Sequence, residues 1–361
     1  MNNGHGGDIY AYTHLPGTDI TDFSANINPF PMPQEIADAV AAGISGLAAY
    51  PDCYCRELRK RLARAVGCTE EDILCGNGAA ELIYSIVYAR RPKKALLLSP
   101  CFTEYEAALR AAGAQLVYHE LSADNGFALT DDFEARLNGD LDIVFLCVPN
   151  NPTGMVIEKA RLEKIADICG KNDILLVLDE CFNDFLDKPE EYSMLDRIAG
   201  RRRLVIIRSF TKMFALAGLR LGYAVSADHE LFEKIYSQRQ PWAVSTLAQR
   251  AGIAALGQSA FAKSSREYLQ RERAYLEREL RLLGARVFEG KANFILFYLE
   301  DSCCDFNEEL AKKGFLIRDC GNFRGLKTGY RRIAVRKHED NVRLVEAIRL
   351  VQGGEAAYES L

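Results

Sequence analysis

The run Arg208-Ser209-Phe210-Thr211-Lys212-Met213-Phe214-Ala215-Leu216-Ala217-Gly218-Leu219-Arg220-Leu221-Gly222-Tyr223 decides the reading of this chain, because it sets one lysine between two apolar strands with an arginine eight residues later. The preceding Leu204 to Ile207 stretch is continuously apolar, as a buried strand is. Lys212 therefore emerges just past a strand end, on the turn where α/β enzymes put reactive groups. An amine so placed can lose its proton and attack a carbonyl to form a Schiff base. Alone, a loop lysine is more often simply solvated.

Three other segments change that balance. Val148-Pro149-Asn150-Asn151-Pro152-Thr153-Gly154 follows the apolar run Leu141 to Val148, and Leu178-Asp179-Glu180 closes the run Ile174 to Leu178. Both polar groups thus sit at the carboxyl ends of predicted parallel strands. Gly76-Asn77-Gly78-Ala79-Ala80-Glu81 precedes the helical pattern Leu82 to Ala89, where small residues let backbone N–H groups approach an anion closely.

In order and spacing, Asn151, Asp179, Ser209, Lys212 and Arg220 resemble the fold-type I aminotransferase family that uses pyridoxal 5′-phosphate (PLP). The resemblance runs along nearly the whole chain. It implies an α/β fold, with a mostly parallel doubly wound sheet in a large domain plus a small α+β domain. The expected division is 1–45 as an N-terminal arm and part of the small domain, 46–240 as the PLP-binding domain and 241–361 as the small C-terminal domain. Lys212 would carry the cofactor, and Asp179 would keep the pyridine nitrogen protonated. Asn151 would donate to the phenolate oxygen; Ser209, Arg220 and the backbone at Gly78 and Ala79 would anchor the phosphate. Phe102, in Pro100-Cys101-Phe102-Thr103-Glu104-Tyr105, matches the aromatic that stacks on the ring, though it also reads as a core phenylalanine. Tyr50, in Tyr50-Pro51-Asp52, resembles the tyrosine sent to the partner subunit's cofactor phosphate, which implies a homodimer with shared sites. Phe182 departs from the family pattern, which often has a tyrosine there to reach the phenolate oxygen.

The 361 residues are 48% hydrophobic, enough for a large core, and the net charge of −5 argues against a broad nucleic-acid surface while permitting local anion pockets. The start Met1 to Asp8 lacks the segments of a signal peptide, and no apolar run approaches the ~20 residues of a membrane helix. A cytoplasmic location is expected, with no membrane partner. The 11 cysteines, including Cys53-Tyr54-Cys55 and Cys303-Cys304, lack zinc-site spacing and read as free thiols, so no metal is expected. Helices are predicted over Leu231 to Ser237 and Arg266 to Leu283, with short strands at Phe294 to Phe297 and Arg332 to Val335. Gly353 to Ala357 is expected to fray.

Substrate anchoring selects the reaction, because the bond to the α-carbon that stands perpendicular to the cofactor's ring system is the one that breaks. Arg332, in Tyr330-Arg331-Arg332-Ile333, aligns with the family's α-carboxylate arginine, and Arg331 should point the other way on a strand. His5-Gly6-Gly7, Asp22 to Pro29 with Asn26, Ile317 to Leu326 and Gln240-Pro241-Trp242 together resemble the L-threonine-O-3-phosphate decarboxylases of cobalamin synthesis. These convert O-phosphothreonine to (R)-1-aminopropan-2-yl phosphate. By that resemblance His5 and Arg318 would grip the substrate phosphate, with Arg336 and Arg324 as further contacts. The rival is transamination of histidinol phosphate, or of a phosphonate such as 2-aminoethylphosphonate, by the related aminotransferases. Phosphoserine differs by one methyl, a discrimination of only about 1–3 kcal/mol. A PLP-sensing module joined to DNA binding would require an added helix-turn-helix.

Overall fold

In this computed structural model, residues 6–12, 20–300 and 305–353 are described. The amino-terminal arm gives strand β1 (Thr21–Asp22) and helix α1 (Gln34–Gly43), and helix α2 (Arg56–Val66) follows it. There follow β2 (Ile73–Gly76), α3 (Gly78–Arg90), β3 (Lys94–Ser99), α4 (Thr103–Ala111), β4 (Gln115–Glu120), β5 (Ile143–Cys147), α5 (Lys159–Lys171), β6 (Leu175–Asp179), β7 (Leu204–Ser209), β8 (Gly222–Val225) and α6 (His229–Gln238). Strands β2 to β8 form one sheet in the order β2-β8-β7-β6-β5-β3-β4, and among them β8 alone runs antiparallel to its neighbours.

Burial on both faces explains why these strands read as unbroken apolar runs instead of alternating ones. Leu96, Val144, Leu146, Leu176, Leu178 and Ile206 face a core shared with α2 and α5. Their neighbours Leu97, Ile143, Phe145, Val177 and Val205 face a second core with α3, α4 and α6. The doubly wound sheet expected from the sequence is the one observed.

Beyond it lie α7 (Thr246–Ala255), α8 (Ser259–Leu282), β9 (Arg286–Val287), β10 (Phe294–Tyr298), α9 (Phe306–Lys312), β11 (Phe315–Leu316), β12 (Arg318–Asp319), β13 (Tyr330–Ala334) and α10 (His338–Gly353). Strands β12-β13-β10-β9 make an antiparallel sheet, and β1 pairs in parallel with β11, tying the arm to the carboxyl-terminal layer. A third core joins Phe23 of the arm to Leu276, Phe294, Ile333 and Leu344. Ile36 of α1 and Ala248 and Ala251 of α7 pack in the core beneath the large sheet, although all three lie outside the 46–240 range expected for the large domain. Gly43 makes this close approach feasible, since a Cβ there would lie 2.8 Å from side-chain atoms of Leu247 and Arg250 on α7. Gly353 closes α10; the rest of the segment expected to fray, and Cys303-Cys304, lie outside the described residues. Among the described residues no helix is long and apolar enough to cross a membrane.

Candidate active site

The carboxyl ends of β5, β6 and β7 deliver Asn151, Asp179 and Ser209 to one edge of the sheet, the edge where open α/β folds bind ligands. Lys212 follows three residues past the end of β7. Together with Phe102, Arg220 and the first turn of α3, these residues line a cleft of about 130 Å³.

One end of the cleft is built for an anion. Gly78 has φ +77°, and a Cβ on it would lie 2.6 Å from the Arg220 guanidinium. A Cβ on Gly222 of β8 would lie 2.8 Å from Ala79 N and 2.9 Å from Gly78 C, so strand and helix start touch only because glycine is there. The unsatisfied N–H groups at the start of α3 carry the positive end of the helix dipole. The Ser209 and Thr211 hydroxyls lie 2.6 Å apart beside them.

At the other end Asp179 is buried, and each oxygen already accepts one hydrogen bond. Tyr105 O–H donates to Oδ2 at 2.6 Å and Cys181 N–H to Oδ1 at 2.9 Å. A carboxylate has about four acceptor positions, so capacity remains for a cationic ring N–H. Backbone amides, two hydroxyls and a guanidinium at one end and a carboxylate at the other fit a phosphorylated pyridine.

Between them stands Lys212. Its Nζ makes no hydrogen bond or ion pair with any described residue and lies 6.0 Å from the centre of the Phe182 ring. Burial lowers its pKa below the ordinary lysine value; Arg332 and Arg220 push the same way, while Cys181 and Asp179 oppose. The lysine turn is braced by the arm, since Asn28 N–H donates to the Lys212 carbonyl at 3.1 Å and Asn28 Nδ2 to the Met213 carbonyl at 2.8 Å. Next to Asp179 and Ser209 in sequence, Glu180 and Arg208 form a buried ion pair at 2.8 Å, extended by Asp184 and by Ser193. That pair locks the ends of β6 and β7 together.

Facing the cleft is the small antiparallel sheet. Arg318 on β12 and Arg332 on β13 are directly opposite each other, and both are buried. Arg332 donates to Asn151 Oδ1 at 2.5 Å and to the Ser24 carbonyl at 2.8 Å, and burial pulls its pKa down to about 10. Arg318 donates to Asn322 Oδ1 at 2.9 Å and to the Asp319 carbonyl, with its guanidinium 5.0 Å from the centre of the Phe323 ring. Two like charges opposite each other destabilise a ladder, so this pair is suited to a multiply charged anion. Arg336, four residues beyond Arg332, has a buried Nε with no partner among the described residues. Asn26 is buried with Oδ1 equally unpartnered. Arg331 points away as expected, to the Leu299 carbonyl at 2.8 Å and the Phe306 ring.

Not every anticipated residue joins this group. Arg324 lies over the Tyr118 ring at 4.1 Å and 3.6 Å from Glu106, lining a neighbouring cavity and separate from Arg318 and Arg332. Tyr50 is 79% exposed, stacked on Trp242 at 4.6 Å, and does not line its own chain's cleft. His5 lies outside the described residues; the adjoining Gly7 N–H donates to Ser24 Oγ at 2.7 Å. Phe182 packs edge-on against Phe294 at 5.0 Å, with carbon where the family often has a hydroxyl. Sequence reasoning passed over Tyr105, Thr211 and Cys181, although Thr211 stood within the decisive run and Tyr105 one helical turn from Phe102.

Comparison with known proteins agrees with this geometry. The chain is 36% identical over 358 residues to a threonine-phosphate decarboxylase of Salmonella typhimurium, covering 98% of each. It is 34% identical over 340 residues to histidinol-phosphate aminotransferase 2 of Archaeoglobus fulgidus, covering 93% of this chain and 94% of that one. Among solved structures, a histidinol-phosphate aminotransferase from Clostridium acetobutylicum superposes with TM-score 0.85 at 29% identity, covering 92% of this chain and 98% of the other. The L-threonine-O-3-phosphate decarboxylase from Porphyromonas gingivalis superposes with TM-score 0.81 at 26% identity, covering 92% and 99%. The signature of aminotransferase class I and II extends from residue 18 to 348, through both sheets and every group lining the cleft, and the chain belongs to that family.

Proposed function

We propose that this chain decarboxylates O-phospho-L-threonine to (R)-1-aminopropan-2-yl phosphate, the aminopropanol precursor used in cobalamin synthesis. PLP is the cofactor and, when bound, supplies the electron sink for cleavage at the substrate α-carbon. The observation that carries the substrate assignment is the buried pair Arg318 and Arg332, directly opposed on the sheet that faces Lys212 and Asp179. A carboxylate and a phosphate on one small molecule match two guanidinium groups so placed. The full-length similarity to threonine-phosphate decarboxylases supports the same choice.

In this reading Lys212 uses its depressed pKa to act as a nucleophile and later returns a proton to the α-carbon. Asp179 would meet the cofactor's ring nitrogen, Asn151 would donate to its phenolate oxygen, and Phe102 would cover the ring face. Ser209, Arg220 and the amides of Gly78 and Ala79 take the cofactor phosphate. Arg332 holds the substrate carboxylate, and Arg318, with Arg336 and Asn26 nearby in the sequence of the two strands and arm, takes its phosphate. His5 would approach from the arm, whose Gly7 abuts Ser24, the carbonyl partner of Arg332. The active unit is a homodimer, supported by the exposed Ile44, Leu47, Tyr50, Tyr54 and Trp242, with Tyr50 reaching the neighbouring subunit's site. A reducing cytoplasm suits the described cysteines, which are free thiols.

Transamination of histidinol phosphate is the second reading, favoured by the extent of the Archaeoglobus and Clostridium similarities. Incubating PLP-loaded protein with O-phospho-L-threonine, with and without 2-oxoglutarate, separates the two. Carbon dioxide released without keto acid is the expected result. Glutamate formation would overturn it.

A further inference from the structure

We infer that Tyr105 is a positioning residue for the reaction: its hydroxyl orients Asp179 and its ring sets Phe102, so one side chain aligns both groups that grip the cofactor ring. This rests on the reading above, in which Asp179 meets the ring nitrogen and Phe102 the ring face.

Tyr105 enters from the first turn of α4, three residues after Phe102, and is fully buried. Its hydroxyl donates to Asp179 Oδ2 at 2.6 Å, a short, charge-assisted contact. The ring stacks on Phe145 of β5 with centroids 4.9 Å apart and planes at 16°, which fixes its tilt. Its other side meets Phe102 edge-on, at 5.5 Å and 83°. The ring cannot rotate without moving Phe102, and the hydroxyl cannot move without releasing Asp179. Burial foremost, then the Asp179 charge, raise the phenol pKa well above its ordinary value, so the proton stays on oxygen throughout the range in which the protein works.

The titratable groups around this contact are Asp179 itself, Cys147 from β5, Cys181 from the turn after β6 and Lys212 from the turn after β7. Burial holds both thiols well above their ordinary pKa, so they remain neutral. Tyr105 is therefore a side-chain donor that fixes the orientation of the Asp179 carboxylate.

The test compares Tyr105→Phe with Asp179→Asn and the parent, measuring PLP dissociation, the pH profile of bound-cofactor absorbance and the thermal stability of the apo-protein. Phenylalanine keeps the stacking on Phe145 and the edge contact to Phe102, so folding alone cannot account for a change. Expected for Tyr105→Phe is cofactor dissociation raised roughly tenfold or more, with a shifted absorbance profile. If Asp179→Asn alters both readouts and Tyr105→Phe alters neither, the inference about Tyr105 is overturned. If Asp179→Asn itself leaves both unchanged, the assignment of Asp179 fails first.

Discussion

Replacing Gly222 with alanine adds one methyl group where the structure has no room for it. The new Cβ would lie 2.8 Å from Ala79 N, 2.9 Å from Gly78 C and 3.0 Å from the Arg208 carbonyl, whereas ordinary contacts begin near 3.4 Å. All three neighbours are backbone, so none can rotate away. The start of α3 must retreat from β8 by roughly 0.6 Å, or the strand must bend, at a cost of about 1–3 kcal/mol. The same retreat draws the amides of Gly78 and Ala79 off the anion position. Losing one hydrogen bond to a charged group costs about 1.5–3 kcal/mol, which is roughly ten- to hundredfold in the cofactor's dissociation constant. Urea unfolding of the apo-protein reads the first effect, and titration of PLP by absorbance reads the second. Gly170→Ala is the control: this glycine lies in α5 with nothing within 4 Å of its added Cβ. Alanine there should stabilise by about 0.5–1 kcal/mol through helix propensity. A Gly222→Ala protein that binds PLP as tightly as the parent would refute the cradle.

Other perturbations address separate parts of the site. Glu180→Gln leaves the buried Arg208 with Asp184 as its remaining ionic partner and should cost about 3 kcal/mol in urea unfolding; a loss below about 1 kcal/mol would mean the pair does not brace the strand ends. Because burial lowers the Lys212 pKa in the folded state, the apo-protein should gain stability as pH rises from that depressed value towards the ordinary lysine value near about 10.4. Lys212→Met should flatten that slope, and an unchanged slope would place the titration elsewhere. Arg318→Ala should weaken phosphothreonine binding by about 2–3 kcal/mol while leaving PLP titration within threefold, and equal loss of both would count against its assignment to substrate. Mixed dimers of Tyr50→Ala and Lys212→Ala, each inactive alone, should recover activity through one intact shared site; no recovery would rule out a tyrosine crossing between subunits.

The candidate edge was legible because its signals are local. Asn151, Asp179 and Lys212 each follow an apolar run that a buried parallel strand produces, so periodicity and residue type were enough to put them at strand ends. What the cleft has as a cofactor came from resemblance, and the described donors fit it. Contacts set by tertiary register were harder to read. Arg318 and Arg332 were both singled out, yet their direct opposition depends on how β12 pairs with β13. Tyr105 looked like one more aromatic near Phe102, because its partner Asp179 lies 74 residues away along the chain. Arg324 shows the same limit: its neighbours in sequence are in the substrate segment, but its guanidinium lies against Glu106 and Tyr118 of the large sheet's layer.

The parallel pairing of Thr21–Asp22 with Phe315–Leu316 also sets an order of events during synthesis. Domains tend to fold as the chain emerges, from the amino-terminal side onward. All strands of the large sheet have been made once Val225 is out, so the cofactor cradle can form while the rest is still being translated. The arm, though among the earliest residues made, has no partner strand until β11 follows almost a whole chain later. Phe23, one residue beyond that early strand and fully buried in the finished molecule, must stay unpacked for the interval. A ribosome stalled before residue 315 should therefore carry a chain that already binds PLP but still leaves Phe23 accessible.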